Sequence, residues 1–191
     1  MISAHEWHYT LLMSRVALLL AVLAALPACD RSKINESEYE EAGAAAVLPL
    51  KKSLKAALVA GLEEGPVNAI SVCRVEAPQL AEKASSATTR VGRTSRKLRN
   101  PANAPKPWME PLLDLYERDP ESREPAVVII DDRTVGYVEP IFVQPLCVTC
   151  HGATLAPDLA SKIEELYPND QATGYAAGDL RGVFWAELTR D

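Results

Sequence analysis

An α+β domain, with an antiparallel sheet covered by helices and a long helix at its N-terminal end, is the fold this sequence predicts. Three observations carry the prediction. Two long stretches of helical period come first. A β-branched run, a polar turn, a partner strand and a closing strand follow them. No internal repeat or second-domain boundary interrupts a chain whose 191 residues suit one core once a leader is removed.

The elements follow in chain order. Glu36 to Glu64 reads as a long helix, capped by Ser32 or Asn35 and opened by Glu36, Glu38, Glu40 and Glu41, which the helix dipole favours. Pro49 is expected to kink or interrupt it. Gly65 ends it and Pro66 starts a second helix, which runs to about Ser86. On that helix Ile70, Cys73, Ala77, Leu80, Ala81 and Ala84 recur at spacings of three and four, so Cys73 lies on the apolar stripe. Thr88 to Thr94 is a short strand. Asn100 to Pro107 is a breaker-rich loop, and Trp108 to Arg118 is a helix. Ala126 to Ile130 and Val135 to Val143 pair across the turn Asp131-Asp132-Arg133-Thr134. Leu159 to Leu166 is a short helix, Gly174 to Gly182 a loop and Val183 to Leu188 a closing strand.

Ahead of this domain, Val16 to Leu26 is an unbroken apolar run behind Arg15. Eleven residues are too few to span a bilayer but fit the apolar part of a secretory signal. Leu26-Pro27-Ala28-Cys29 resembles a lipobox, apart from the unusual Pro27. The division is therefore a signal peptide over residues 1–29, a tether over 30–35 and one domain over 36–191. The expectation is a periplasmic protein, anchored to the inner membrane by lipid on Cys29. Translation from Met13 in place of Met1 would give a more typical leader. The net charge is −6, and no basic run offers a nucleic-acid surface.

Directly after the hairpin stands Cys147-Val148-Thr149-Cys150-His151. Two thiols three positions apart, followed at once by histidine, form the attachment signature of c-type haem: each thiol can add to a porphyrin vinyl group, and the imidazole can reach the iron. Redox chemistry of a dithiol pair is disfavoured because Gln144-Pro145-Leu146 is no strand–turn–helix entry. Zinc is disfavoured because Cys150 and His151 are adjacent.

Counting residues narrows the iron ligands. From Cys29 onward His151 is the single histidine and Met109 the single methionine. Bis-histidine ligation within one chain is excluded. The sixth position falls to Cys73, Met109, a rarer oxygen or amine group, water or nothing. Cys73 is the thiol left over in an oxidising compartment, where an inert buried cysteine is the plain alternative. Arg93 and Arg99 are candidates to pair with haem propionates, against plain solvation. Trp108 and Tyr175 could face the porphyrin or simply pack in a core.

Several segments then carry a family resemblance. They are Ala69-Ile70-Ser71-Val72-Cys73 with Ala77-Pro78; Val91-Gly92-Arg93-Thr94-Ser95 with Leu98-Arg99-Asn100-Pro101-Ala102-Asn103; Cys147 to Gly152; and Gly174-Tyr175 with Gly178-Asp179-Leu180-Arg181-Gly182. Together they resemble the haem-c-binding PAS-like domain of small periplasmic cytochromes and of the sensor regions of bacterial kinases and chemoreceptors. The resemblance implies a PAS-like sheet flanked by helices. It also implies one covalent haem with His151 and Cys73 as axial ligands, in the stand-alone form of the family.

A thiolate ligand favours ferric iron and a low potential, and a six-coordinate iron has no open site for substrate. An enzyme is therefore not expected. The expected function is low-potential electron transfer with an unidentified redox partner protein, or redox sensing. The alternative is a gas or ligand sensor in which the bond from Cys73 to iron is displaced.

Overall fold

In the computed structural model, residues 34–119 and 121–190 are described. The signal segment and Cys29 expected from the sequence lie outside them. Helix α1 spans Glu36–Glu63, with Glu36 and Glu38 in its first turn. Asn35 caps it through its backbone carbonyl, which accepts from the N–H groups of Glu38 and Tyr39 at 3.1 and 3.2 Å; its side chain makes no capping bond. The sequence predicts a kink or break at Pro49, but the helix runs on through it. Proline there removes one helical hydrogen bond, and the burial of Val47 and Leu50 on either side holds the turn in place. Gly65, at φ +100, turns the chain into α2, Pro66–Ala84. The two helices pack closely: a Cβ on Gly61 would stand 2.9 Å from the Cα of Ala69.

Four strands form one antiparallel sheet in the order β1-β4-β3-β2. They are β1 (Thr89–Thr94), β2 (Ala126–Asp131), β3 (Thr134–Phe142) and β4 (Leu180–Thr189). β4 starts at Leu180 rather than Val183, because Leu180 still pairs with Phe142 past a bulge at Ile141. Alternation along the strands builds two cores. Val91, Tyr137, Ala186 and Leu188 face α1, where Val47 and Leu50 meet them with Leu80, Ala81 and Ala84 of α2 at the side. Val138 and Val183 face the other way, toward Leu112, Leu113 and Tyr116 of helix α3 (Glu110–Arg118). The predicted helix from Trp108 thus begins as a 3-10 turn, Pro107–Met109. The fold is the expected α+β arrangement of an antiparallel sheet flanked by helices, consistent with a PAS-like domain.

Glycine lets aromatic rings lie flat on the second face: Trp185 covers Gly92 and Trp108 covers Gly136. Trp108 is a core residue there, its Nε1 donating to Glu187 at 2.9 Å, while Lys106 pairs with the same carboxylate at 2.6 Å. On the first face, a Cβ on Gly43 would stand 2.2 Å from Cγ of the fully buried Tyr137 ring. Gly43→Ala should therefore destabilise the fold. Overpacking costs about 1–3 kcal/mol and the gain in helix propensity returns only about 1; the close approach to a buried ring puts the cost at the upper end, so urea melts should show a net loss of up to about 2 kcal/mol.

A third cluster lies apart from the sheet. Ile70 of α2 packs on Leu159 and Ile163 of α5 (Pro157–Leu166), with Val67, Leu155, Leu166, Tyr167 and Cys150 around them. Between β3 and α5 the chain makes a 3-10 turn, Pro145–Cys147, and the one-turn helix α4, Val148–His151. The third cluster is what seats this turn against α2.

Candidate functional site

The CxxCH segment folds as a single turn of helix, which brings Cys147 and Cys150 onto one side of it. Both thiols are free and half-buried. The Sγ of Cys147 accepts from the Gln144 N–H at 3.3 Å, and Cys150 belongs to the apolar cluster with α2 and α5. Burial pushes the Cys150 thiol up, with Arg99 opposing.

Cys73 reaches the same place from α2. Of the predicted stripe, Ile70 is buried and Cys73, Ala77, Leu80, Ala81 and Ala84 are half-buried, while Val75 on the opposite side is 61% exposed. The stripe therefore faces inward as its spacing predicts. Burial raises the pKa of the Cys73 thiol, and Arg93 and Arg99 pull it back down. Cys73 in turn acts on Cys150. The fold thus brings together Cys73, Cys150, Arg93 and Arg99, which are far apart in the chain.

His151 is held on two sides. Its Nδ1 lies 2.6 Å from the carbonyl of Ala172, and its ring meets the Tyr175 ring edge-on, 6.3 Å between centroids at 89°. A carbonyl can only accept, so Nδ1 carries the proton and Nε2 keeps its lone pair. Burial pulls the imidazole down to about 3, helped by Arg99 and Arg181, so it is neutral at ordinary pH. That is the form of histidine that binds a metal.

Unfolding exposes this histidine, whose ordinary value is 6.5. Between pH 6.5 and 3 the unfolded chain binds a proton that the folded chain refuses. Haem-free protein should therefore lose stability as pH falls through that window. Thermal melts should show the slope, and His151→Gln should flatten it.

The arginines divide into two kinds. Arg99 is committed to protein: Nε and Nη2 meet the Asp170 carboxylate at 3.2 and 3.0 Å, and Nη2 also reaches the carbonyls of Cys150 at 2.7 Å and Ala172 at 3.4 Å. Arg93 and Arg181 have no carboxylate partner among the described ion pairs. Arg181 donates to the Lys97 carbonyl at 3.2 Å and lies over the Tyr175 ring at 5.4 Å. Lys97 lies over the same ring at 4.9 Å. Burial lowers the pKa of both Arg93 and Arg181, and each feels Arg99 as a like charge. Arg93 is still exposed on the edge strand β1.

The run from Arg93 to Asn103 leads from the end of β1 into the loop after it. Thr94 donates to the Asn103 carbonyl at 2.6 Å, and Asn100 caps the 3-10 turn Pro101–Asn103 by accepting from the Ala102 N–H. The loop folds back and aims Lys97 and Arg99 at residues 170–175. Met109, the other soft donor, is fully buried in the turn before α3. Asp131 serves its turn by accepting from the Arg133 N–H at 2.8 Å.

Sequence reasoning missed Asp170 and Arg181 as members of the site. Arg181 lies inside a quoted family segment and could have been found there. Asp170 lies in a polar loop that carries no local signal. Ala172 acts through its backbone, which no side-chain pattern reports. Among the described residues no three His, Cys, Asp or Glu side chains converge to hold a bare metal ion.

Comparison with known proteins gives two findings. A family model described as Tll0287-like matches residues 17–188. Among solved structures, the crystal structure of the cyanobacterial heme-protein Tll0287 matches with a TM-score of 0.53 and 28% identity, covering 63% of this chain and 73% of that one. No curated protein matches.

Proposed function

The chain belongs to the Tll0287-like family, and from that premise we propose that it is a haem protein: an exported c-type cytochrome that carries electrons at low potential or senses redox state. The observation that carries this reading is the meeting of Cys73 with the CxxCH turn. Its two free thiols stand one helical turn apart, a histidine follows with its lone pair free, and a third thiol approaches from a separate helix.

The residues present fit the group. Cys147 and Cys150 would hold one haem by two thioether bonds, and His151 and Cys73 would be its axial ligands. Arg93 and Arg181, both without a carboxylate partner among the described ion pairs, would meet its two propionates, which favour arginine. The haem supplies one-electron chemistry. The protein's part is to set the potential: Arg93 and Arg99 favour the thiolate of Cys73, and thiolate donation favours ferric iron. With His151 and Cys73 both holding the haem, no open site would be left for substrate, and on this reading the protein would not be an enzyme. Export, lipid on Cys29 and a periplasmic location follow from the leader sequence and from the compartment in which such haem is attached.

Full-length protein made together with haem-attachment machinery should stain for covalent haem after denaturing electrophoresis. Carbon monoxide added to the ferrous protein should leave the Soret band in place. A protein without stain defeats the cytochrome reading. A carbon monoxide adduct would favour a sensor in which Cys73 is displaced.

A further inference from the structure

We propose that Arg99 and Asp170 form a positioning brace for the axial imidazole, fixing the Ala172 carbonyl on Nδ1 of His151 so that Nε2 points one way. This rests on the haem reading above and adds to it two residues that would not touch the haem iron.

The brace is a closed set of bonds. The Asp170 carboxylate accepts from Arg99 at two atoms and from the Ala172 N–H at 2.9 Å. The same arginine reaches the carbonyls of Cys150 and Ala172, one next to His151 in sequence and the other bonded to its ring. Both charged side chains are nearly covered, at 11% and 7% exposure. The segment over 169–175 has no helix or strand of its own. Its backbone is tied at Gln171 to the Leu98 carbonyl, at Gly174 to the Gly152 carbonyl and at Tyr175 to the His151 carbonyl. Among the described side-chain bonds, Arg99 is the one side chain that joins the segment to both the motif and Asp170.

The physical consequence is directional. Partners behind a ligating histidine fix its tautomer and ring orientation and raise its basicity. A buried charge pair is a poor source of net stability but a good way to specify one arrangement. Without the pair, Ala172 keeps only the backbone ties of its neighbours, so its carbonyl is held less firmly and the acceptor of the Nδ1 proton is less fixed. Arg99 therefore serves His151 from behind, with Nε and Nη2 spent on protein, and Arg93 and Arg181 remain for the propionates.

The test uses the full chain, haem-free and haem-loaded, with Asp170→Ala, Asp170→Asn and Glu187→Gln. Asn keeps the size and an oxygen for the Ala172 N–H but loses the charge. Glu187→Gln loosens Lys106 and Trp108 on the sheet and is the control for a merely structural loss. NMR of the haem-free protein labelled with ¹⁵N-histidine should show a slowly exchanging Nδ1 proton, assigned to His151 by its loss in His151→Gln. Asp170→Ala should speed that exchange by about tenfold or more, the worth of one charge-assisted bond, with Asp170→Asn in between. In the loaded protein both Asp170 variants should shift the ferric EPR g-values and raise the reduction potential. Glu187→Gln should lower the Tm and move none of these. Wild-type exchange and g-values in the Asp170 variants would overturn the brace. If Asp170→Ala does not fold, Asp170→Asn decides. Failure of the haem reading would appear separately, as wild-type protein without covalent haem, and the exchange arm would still report on the brace.

Discussion

Replacing Cys73 by Ser is expected to shift the Soret band and raise the reduction potential while leaving the haem covalently attached. Axial ligand identity spans about 0.8 V of haem potential, so the loss of a thiolate should move it upward by on the order of 0.1 V or more. The fold should tolerate the change. Cys73 is half-buried on α2, and serine nearly matches it in size. The spectrum, the potential and the haem stain thus separate a ligand from a passive core thiol. An inert cysteine would leave spectrum and potential alone. Met109 as the ligand would do the same, but it is fully buried in the turn before α3.

Removing both thiols of the motif, Cys147→Ser with Cys150→Ser, should abolish the haem stain altogether. Either single substitution should keep it through the remaining thioether. Of the two, Cys150→Ser should cost more stability, because Cys150 packs with Ile70, Leu159 and Ile163 while Cys147 belongs to no apolar cluster. A Leu→Ala scale does not apply to so small a change, and the cost should fall nearer that of one buried methyl-sized group, about 1 kcal/mol. Chemical denaturation of the haem-free variants would rank them.

Most of the fold was legible because its signals are local. Gly65 and Pro66 mark the boundary between α1 and α2, and the β-branched run from Ala126 with the turn at Asp131 marks the hairpin. Pro49 misled, since a proline signals only a lost hydrogen bond and burial of Val47 and Leu50 outweighs it. The inward face of Cys73 was legible from spacing, but its neighbours were not. Contact between α2 and the CxxCH turn is made by the third cluster, whose members Ile70 and Leu159 lie far apart in the chain. Arg99 shows the limit best. Residue type suggests a propionate partner, yet the structure gives its Nε and Nη2 to Asp170, Cys150 and Ala172. Nothing near Asp170 in sequence announces a partner on the loop after β1, because a buried ion pair between distant segments leaves no periodicity.

Arg93 and Arg181 carry the same lesson in reverse. Arg93 stands near the end of β1, in the basic stretch from Arg90 to Arg99, and Arg181 stands at the start of β4. Only folding shows that Arg93 lies near Cys73 and Arg181 near His151, while Arg96 of the same basic stretch is drawn off to Glu110 and Asp114 on α3.

Iron K-edge X-ray absorption on the ferric, haem-loaded protein would show whether the haem iron is held between His151 and Cys73. One sulfur should stand in the iron's coordination shell beside five nitrogens, and it should be lost in Cys73→Ser. A shell without sulfur in the wild-type protein, or a sulfur that survives Cys73→Ser, would contradict that ligation.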